Sequence, residues 1–349
     1  MSRLTRSGIV TFMFALALIG IPRAAQAQGT WNATVGAESR NEGIQADAFL
    51  PNELWIYQGD TIIWKFAPKN EIHTVTFLMP SQIRPPFQGP PSAGCPGIQP
   101  SGSSYDGVGA PGDLGCVNSG PLAGGATYSV KFPVPGNFKL VCLVHADMNG
   151  TIHVLPLSAN LPHQQGFYDQ LGADEAHDIL ADDKNSAEER EDSSRHSVIA
   201  GIGEIVATGG GRQYQAVVRF LRGTIRVNVG DTVEWTNLDP TEPHTVTFGT
   251  EPPIPTTVVN ATPDLDGALH STIHSSTDST NSGFLAAAPQ DRVGLSQSDP
   301  GVTRFRVTFT TAGTYHYICA LHDVDGMVGE VIVGGGGDRD DDRDPDQQR

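Results

Sequence analysis

The chain carries two copies of one pattern, and any fold proposed for it has to accommodate that duplication. Gly59-Asp60-Thr61-Ile62-Ile63-Trp64 corresponds to Gly230-Asp231-Thr232-Val233-Glu234-Trp235, and His73-Thr74-Val75-Thr76-Phe77 recurs unchanged at 244–248, both at an offset of 171 residues. Farther on, Gly136, Phe138, Cys142 and His145 correspond to Gly313, Tyr315, Cys319 and His322 at an offset of 177. Asn118-Ser119-Gly120 recurs as Asn281-Ser282-Gly283. The 349 residues therefore divide into a first copy, 28–157, and a second, 197–335.

Each copy reads as strands. Ile62 and Trp64 alternate with other neighbours, as do Val227, Val229, Val233 and Trp235. Phe138, Leu140 and Cys142 share one face of an extended segment, as do Tyr315, Tyr317 and Cys319. With 40 Gly, 25 Pro and only 7% aromatic residues, the composition suits a turn-rich all-β protein better than a helical bundle. Short strands in copies of about 130 residues predict a β-sandwich for each. Residues 80–125 and 250–300 lack periodicity and are expected to form long surface excursions.

The remaining segments set the context. Residues 1–27 read as a secretory signal: Arg3 and Arg6, an apolar run over 9–21, then Ala25-Gln26-Ala27 as cleavage site. The expected location is periplasmic or extracellular, with no transmembrane helix in the mature chain. Residues 174–195 hold nine acids and three bases, and Ala173, Ala176, Ile179 and Leu180 form a short helical stripe. We expect a charged, partly helical connector over 158–196. The acidic tail, 336–349, has nothing to bury and is expected to be disordered. A net charge of −17 argues against nucleic acid as a partner.

The chemistry lies in four residue types that recur in order. His73 precedes Cys142, His145 and Met148, and His244 precedes Cys319, His322 and Met327. Two imidazoles, a thiolate and a weak thioether are the ligands of a blue copper centre. An isolated Cys-x2-His carries little information, because free cysteines are often buried small hydrophobes. Recurrence of the whole set, each after a Gly-x-aromatic turn, carries much more. Zinc is the competing metal, and Met is a poor zinc ligand.

Both copies resemble cupredoxins of the plastocyanin/azurin family. The second, with Gly313-Thr314-Tyr315, Cys319, His322 and Met327, is similar to plastocyanin and pseudoazurin. The first, with its shorter loop from Cys142 to Met148, is similar to amicyanin. The resemblance implies a Greek-key sandwich in each copy and two type 1 copper ions per chain, one held by His73, Cys142, His145 and Met148, the other by His244, Cys319, His322 and Met327. The family usually has Asn after the first His, where this chain has Thr74 and Thr245.

Cys95 and Cys116 remain outside the ligand sets. An exported protein would use them as a disulfide, and two free thiols are the alternative. His153 reads as structural or exposed, His316 as solvent-facing, and His270 and His274 as residues of a polar loop.

The function expected is electron transfer rather than catalysis. A copper-dependent oxidoreductase of the nitrite reductase or laccase kind would need further histidines. Val141 and Ile318 stand where such a His commonly precedes the Cys, and no His-x-His occurs. A non-redox copper binder is the other alternative. The resemblance places His145 and His322 at the exposed end of each site, beside Asp147 and beside Asp323 and Asp325. That predicts that the second copy, the more acidic of the two, docks a basic redox partner such as a cytochrome through an acidic face. Two residues separate His145 from Met148 and four separate His322 from Met327, so the two reduction potentials should differ, in a direction the loops do not give.

Overall fold

The computed structural model describes residues 28–79, 82, 84, 95, 97–108, 115–181, 196–287 and 302–334. The expected leader, the acidic tail and residues 182–195 of the connector lie outside the described residues. The first copy forms β1 (Thr30–Glu38), β2 (Ile44–Leu50), β3 (Glu53–Tyr57), β4 (Thr61–Phe66), β5 (Thr76–Phe77), β6 (Ser103–Ser104), β7 (Val117–Asn118), β8 (Thr127–Lys131), β9 (Gly136–Val141) and β10 (Asn149–Leu155). One helix follows, α1 (Gln165–Ala181). The second copy forms β11 (Ser197–Ala207), β12 (Arg212–Leu221), β13 (Thr224–Asn228), β14 (Thr232–Leu238), β15 (Thr247–Phe248), β16 (Thr262–Pro263), β17 (Leu269–Ile273), β18 (Thr280–Asn281), β19 (Arg304–Phe309), β20 (Gly313–Ile318) and β21 (Val328–Gly334).

The alternation read from the sequence sets which side chains point inward. Ile62, Trp64 and Phe66 on β4, and Val233 and Trp235 on β14, are completely buried. Each copy layers two sets of strands over these residues. In the first, β3-β10-β9-β5-β7 faces β2-β1-β4-β8. In the second, β13-β21-β20-β15-β18 faces β12-β11-β14-β19. The order is the same in both. Between the layers lie separate hydrophobic cores, one around Trp64, Phe77 and Phe132 and one around Trp235, Phe248 and Tyr317. The repeated Gly-Asp marks a turn: Asp60 accepts from the Gly29 and Tyr57 amides and the Trp31 indole, and Asp231 accepts from the Asn228 amide.

The two copies share a sheet. β2 pairs antiparallel with β12, with Ile44, Gln45, Ala46 and Asp47 opposite Val217, Ala216, Gln215 and Tyr214. β2 pairs with β1 and β12 with β11, so the junction joins equivalent strands about a local pseudo-two-fold axis. Every residue of β2 is buried, the polar Gln45 and Asp47 included. Pairing of this kind removes two exposed strand edges at once.

Helix α1 spans that junction. It buries Tyr168, Gly172 and Ile179. Its Glu175 carboxylate accepts hydrogen bonds from the Asn52 amide at 2.9 Å and from Gln213 Nε2 at 3.0 Å, one in each copy. Burial pushes the Glu175 carboxyl up to about 7, against the lowering effect of those two bonds. An acid with a raised folded pKa contributes stability that is complete below its unfolded value, about 4.5, and lost as the pH rises through about 7. Amide exchange in α1 should therefore accelerate between pH 5 and 8 beyond its intrinsic rise. Glu175→Gln should flatten that excess, and an unchanged excess in the variant would assign it elsewhere.

Candidate metal centres

Each centre is assembled by a strand end, a short returning loop and a distant strand edge. Cys142 follows β9 and donates its amide to Met148 O at 3.0 Å, while the Met148 amide donates to His145 O at 3.3 Å. Cys319 follows β20 and makes the same bond to Met327 O at 3.0 Å, and the Met327 amide donates to His322 O at 2.9 Å. These bonds fold the loop so that Cys and His return toward one another, with the Met backbone closing the loop before the next strand begins. The upstream imidazoles are anchored by paired backbone bonds, His73 with Leu122 and His244 with Leu285.

The donor atoms converge. His73 Nδ1 and His145 Nδ1 are 3.0 Å apart, with Cys142 Sγ 3.9 Å from the latter. In the second centre His244 Nδ1 and His322 Nδ1 are 3.2 Å apart, and Cys319 Sγ lies 3.9 and 3.5 Å from them. Nitrogen and sulfur ligands about 2.0–2.3 Å from one ion have such separations. All six side chains are buried, as are Met148 and Met327. The residues present thus fit a soft metal ion closed off from solvent.

Residues 206–334 match the copper binding proteins of the plastocyanin/azurin family. That match contains β12–β21 and the whole second centre. No curated protein matches the chain. Solved structures similar to it include oxidized plastocyanin from Dryopteris crassirhizoma, 22% identical over 40% of this chain and 99% of that one, with a TM-score of 0.21. A purple cupredoxin from Nitrosopumilus maritimus is 23% identical over 40% of this chain and 98% of its own, with a TM-score of 0.21. A copper-containing nitrite reductase from Thermus scotoductus is 15% identical over 87% of this chain and 68% of its own, with a TM-score of 0.21.

Both centres, the one inside the plastocyanin/azurin match and its counterpart in the first copy, use the same supporting hydrogen bonds. The Thr74 amide donates to Cys142 Sγ at 3.4 Å and the Thr245 amide to Cys319 Sγ at 3.3 Å. The threonine hydroxyls accept from the amides that follow each cysteine, Leu143 at 2.8 Å and Ala320 at 2.7 Å. Thr76 and Thr247 each donate onward to Asn118 and Asn281. Ser119 and Ser282 accept from the Val75 and Val246 amides. The recurrent Asn-Ser-Gly is thus the far end of the network that holds the Cys loop, and Thr fills the position after the first His.

Two residues escaped the sequence reading. β1 and β11 each carry a bulge, between Val35 and Ala37 and between Ala200 and Ile202, centred on Gly36 (φ 68°) and Gly201 (φ 78°). A Cβ on Gly36 would lie 2.6 Å from His73 Nε2, and one on Gly201 would lie 2.0 Å from His244 Nε2. The imidazole rings rest on bare backbone. Their offset is 165 rather than 171, so the repeat alignment passes over them.

Carboxylates surround the outer imidazole nitrogens. Asp47 Oδ1 lies 3.9 Å from His73 Nε2, and Asp239 Oδ2 lies 3.8 Å from His244 Nε2; these buried atoms have no hydrogen-bond partner among the described residues. His145 Nε2 faces Glu71 Oε1 at 3.1 Å and Glu242 Oε1, from the second copy, at 3.4 Å. Burial opposes ionisation of Glu71, yet the bond from His145 and the charges of the imidazoles outweigh it and hold the carboxyl down at about 2. Burial first, and then the neighbouring negative groups, raise Asp47 and Glu242 against the lowering effect of His145. The two cysteines show the reverse balance to a simple buried thiol: burial raises them, but the adjacent imidazoles bring both well below the usual range, toward the thiolate a metal needs.

The expected solvent-facing edge is not where the family resemblance put it. His145 is 1% exposed and His322 4%, because the other copy covers each. Asp325 is also buried and accepts from Asn70 Nδ2 in the first copy, and Asp147 pairs with Arg212 in the second. The junction between the copies thus engages Asp147 and Asp325 of the acids expected to dock a basic cytochrome, while Asp323 stays half-buried beside the exposed Val324.

The other expected residues fall as follows. Cys95 and Cys116 are joined, with S–S 2.09 Å. His153 stacks on Trp55 and bonds Asn137 and Glu53, a structural position. His316 is exposed and His274 bonds Thr310. His270 belongs to β17 rather than to a loop, bonded to Asp264 and Thr308. Arg84, unassigned in the sequence, donates Nε to Cys142 O at 2.7 Å.

Proposed function

We propose that the protein is an exported blue copper electron carrier in which each of two Greek-key cupredoxin domains, 28–157 and 197–335, holds one type 1 ion, the domains being joined by the charged, partly helical connector. The observation that carries this reading is the duplicated, buried convergence of two imidazoles and a thiolate, with a buried methionine in the same loop of each copy. His73, Cys142, His145 and Met148 would hold one ion and His244, Cys319, His322 and Met327 the other. Bound copper would supply a one-electron couple. The chain supplies buried donors, carboxylates behind the outer imidazole nitrogens, and amide donors from Thr74 and Thr245 that temper the thiolate charge. Rigidity of this kind keeps rearrangement small when the charge changes. A carrier, rather than an oxidoreductase or a passive copper binder, is the reading that a closed ligand shell favours. Its partner is a redox protein that approaches elsewhere than at His145 or His322. The purified protein should bind two copper equivalents, show intense thiolate-to-copper absorption, and cycle reversibly by one electron per site. Loaded protein that is colourless, or that cannot be reduced and reoxidised, would refute the proposal.

A further inference from the structure

Beyond the loop length and the Arg84 bond to Cys142 O, the two centres differ in what touches the outer nitrogen of the second histidine. At His145, Nε2 lies 3.1 Å from Glu71 and 3.4 Å from Glu242. At His322, no carboxylate oxygen stands within 4 Å among the described residues. Glu71 and Glu242 are themselves counterparts at the repeat offset of 171, so the pair is symmetric in sequence but asymmetric in use. Glu242 is placed by its own copy: its amide donates to Asp239 Oδ1 at 2.6 Å, and its carbonyl accepts from Asn237 Nδ2 at 2.8 Å. The side chain then crosses the junction to the other copy.

We infer that Glu242 is a positioning residue for the metal centre of the opposite copy, and that with Glu71 it makes the first centre the lower-potential one. This rests on the copper reading above. A carboxylate on the outer N–H of a ligand imidazole fixes the ring and raises its basicity, which favours the more positive, oxidised ion. The same two carboxylates act on the second centre only from beyond 4 Å. Asp47 adds to the effect at the first centre as Asp239 does at the second, at 3.9 and 3.8 Å. Arg84, beside Cys142 O, opposes it with a single positive charge. In the loaded protein the electron then rests preferentially on the second centre, and assembly of the copies, rather than loop length, sets the direction.

The test uses the full chain with one centre removed. In Cys319→Ser, copper at the first centre should titrate at a lower potential than copper at the second centre in Cys142→Ser. Glu242→Gln, which keeps size but not charge, should raise the first potential by a tenfold shift in the equilibrium, 59 mV for one electron. It should also alter the electron paramagnetic hyperfine splitting of that centre, and move the second centre less. Glu242→Asp retains the charge and the backbone bonds but withdraws the carboxylate, and should give an intermediate value. A first-centre potential that ignores both substitutions, or a second centre that moves as much, would overturn the inference while leaving the copper reading intact. Absence of a thiolate-to-copper band in both cysteine variants would overturn the two together.

Discussion

Cys142→Ser should remove one copper equivalent and one thiolate-to-copper band, and Cys319→Ser should remove the other. Each thiol is fully buried and surrounded by its own pair of imidazoles, so neither can serve the opposite site. Serine occupies nearly the same volume, which keeps the cores around Trp64 and Trp235 packed. Its hydroxyl, however, stays protonated and is a hard donor, where a soft thiolate is what selects copper. Near-ultraviolet circular dichroism should therefore change little while the visible absorption near each site disappears. Copper analysis should read one equivalent in each variant and none in the double variant. Retention of two equivalents in either single variant would mean that the cysteine is not a ligand there.

The second large effect is expected from one methyl group. Gly201→Ala should abolish metal binding at the second centre, and Gly36→Ala should weaken it strongly at the first. At Gly201 the new Cβ would stand 2.0 Å from His244 Nε2, which forces the ring off its position; at Gly36 the gap to His73 Nε2 is 2.6 Å. Both residues have positive φ, which alone costs a residue with a side chain about 1–2 kcal/mol. Gly230→Ala separates the two terms. Its φ is 94° with nothing within 4 Å of the added Cβ, so it should lower the melting temperature and leave copper binding unchanged. Copper titrations of the three variants check this. If Gly201→Ala binds copper as Gly230→Ala does, the bulge does not seat the imidazole.

Much of the site was legible in the sequence because its parts are local or repeated. The thiolate, the second histidine and the methionine stand within one loop of each copy, and His73 and His244 head identical pentapeptides. The strand alternation that buries Trp64 and Trp235 needs only a period of two, and that survives in any short stretch of chain. The candidate ligand types, their order, their recurrence in both copies and the mostly-β character all follow from such patterns. His270 went astray because β17 is a five-residue strand set among Ser and Thr, and the burial of Leu269 and Ile273 that marks it depends on its pairing with β19.

What only the tertiary structure decided is how one copy lies against the other. An edge strand needs a partner, but its own residues do not name one, and β2 finds β12 across some 170 positions of chain. That pairing buries His145 and His322, converts Asp325 from a surface charge into an acceptor for Asn70, and delivers Glu242 to His145 of the first copy. The bulges at Gly36 and Gly201 are equally silent, since a lone glycine acquires meaning only when an imidazole comes to rest on it. Local chemistry thus specified the candidate donors of each centre. The long-range assembly of two sheets into one specified its electrostatic surroundings and access to it, because those depend on groups that meet only after the chain has folded.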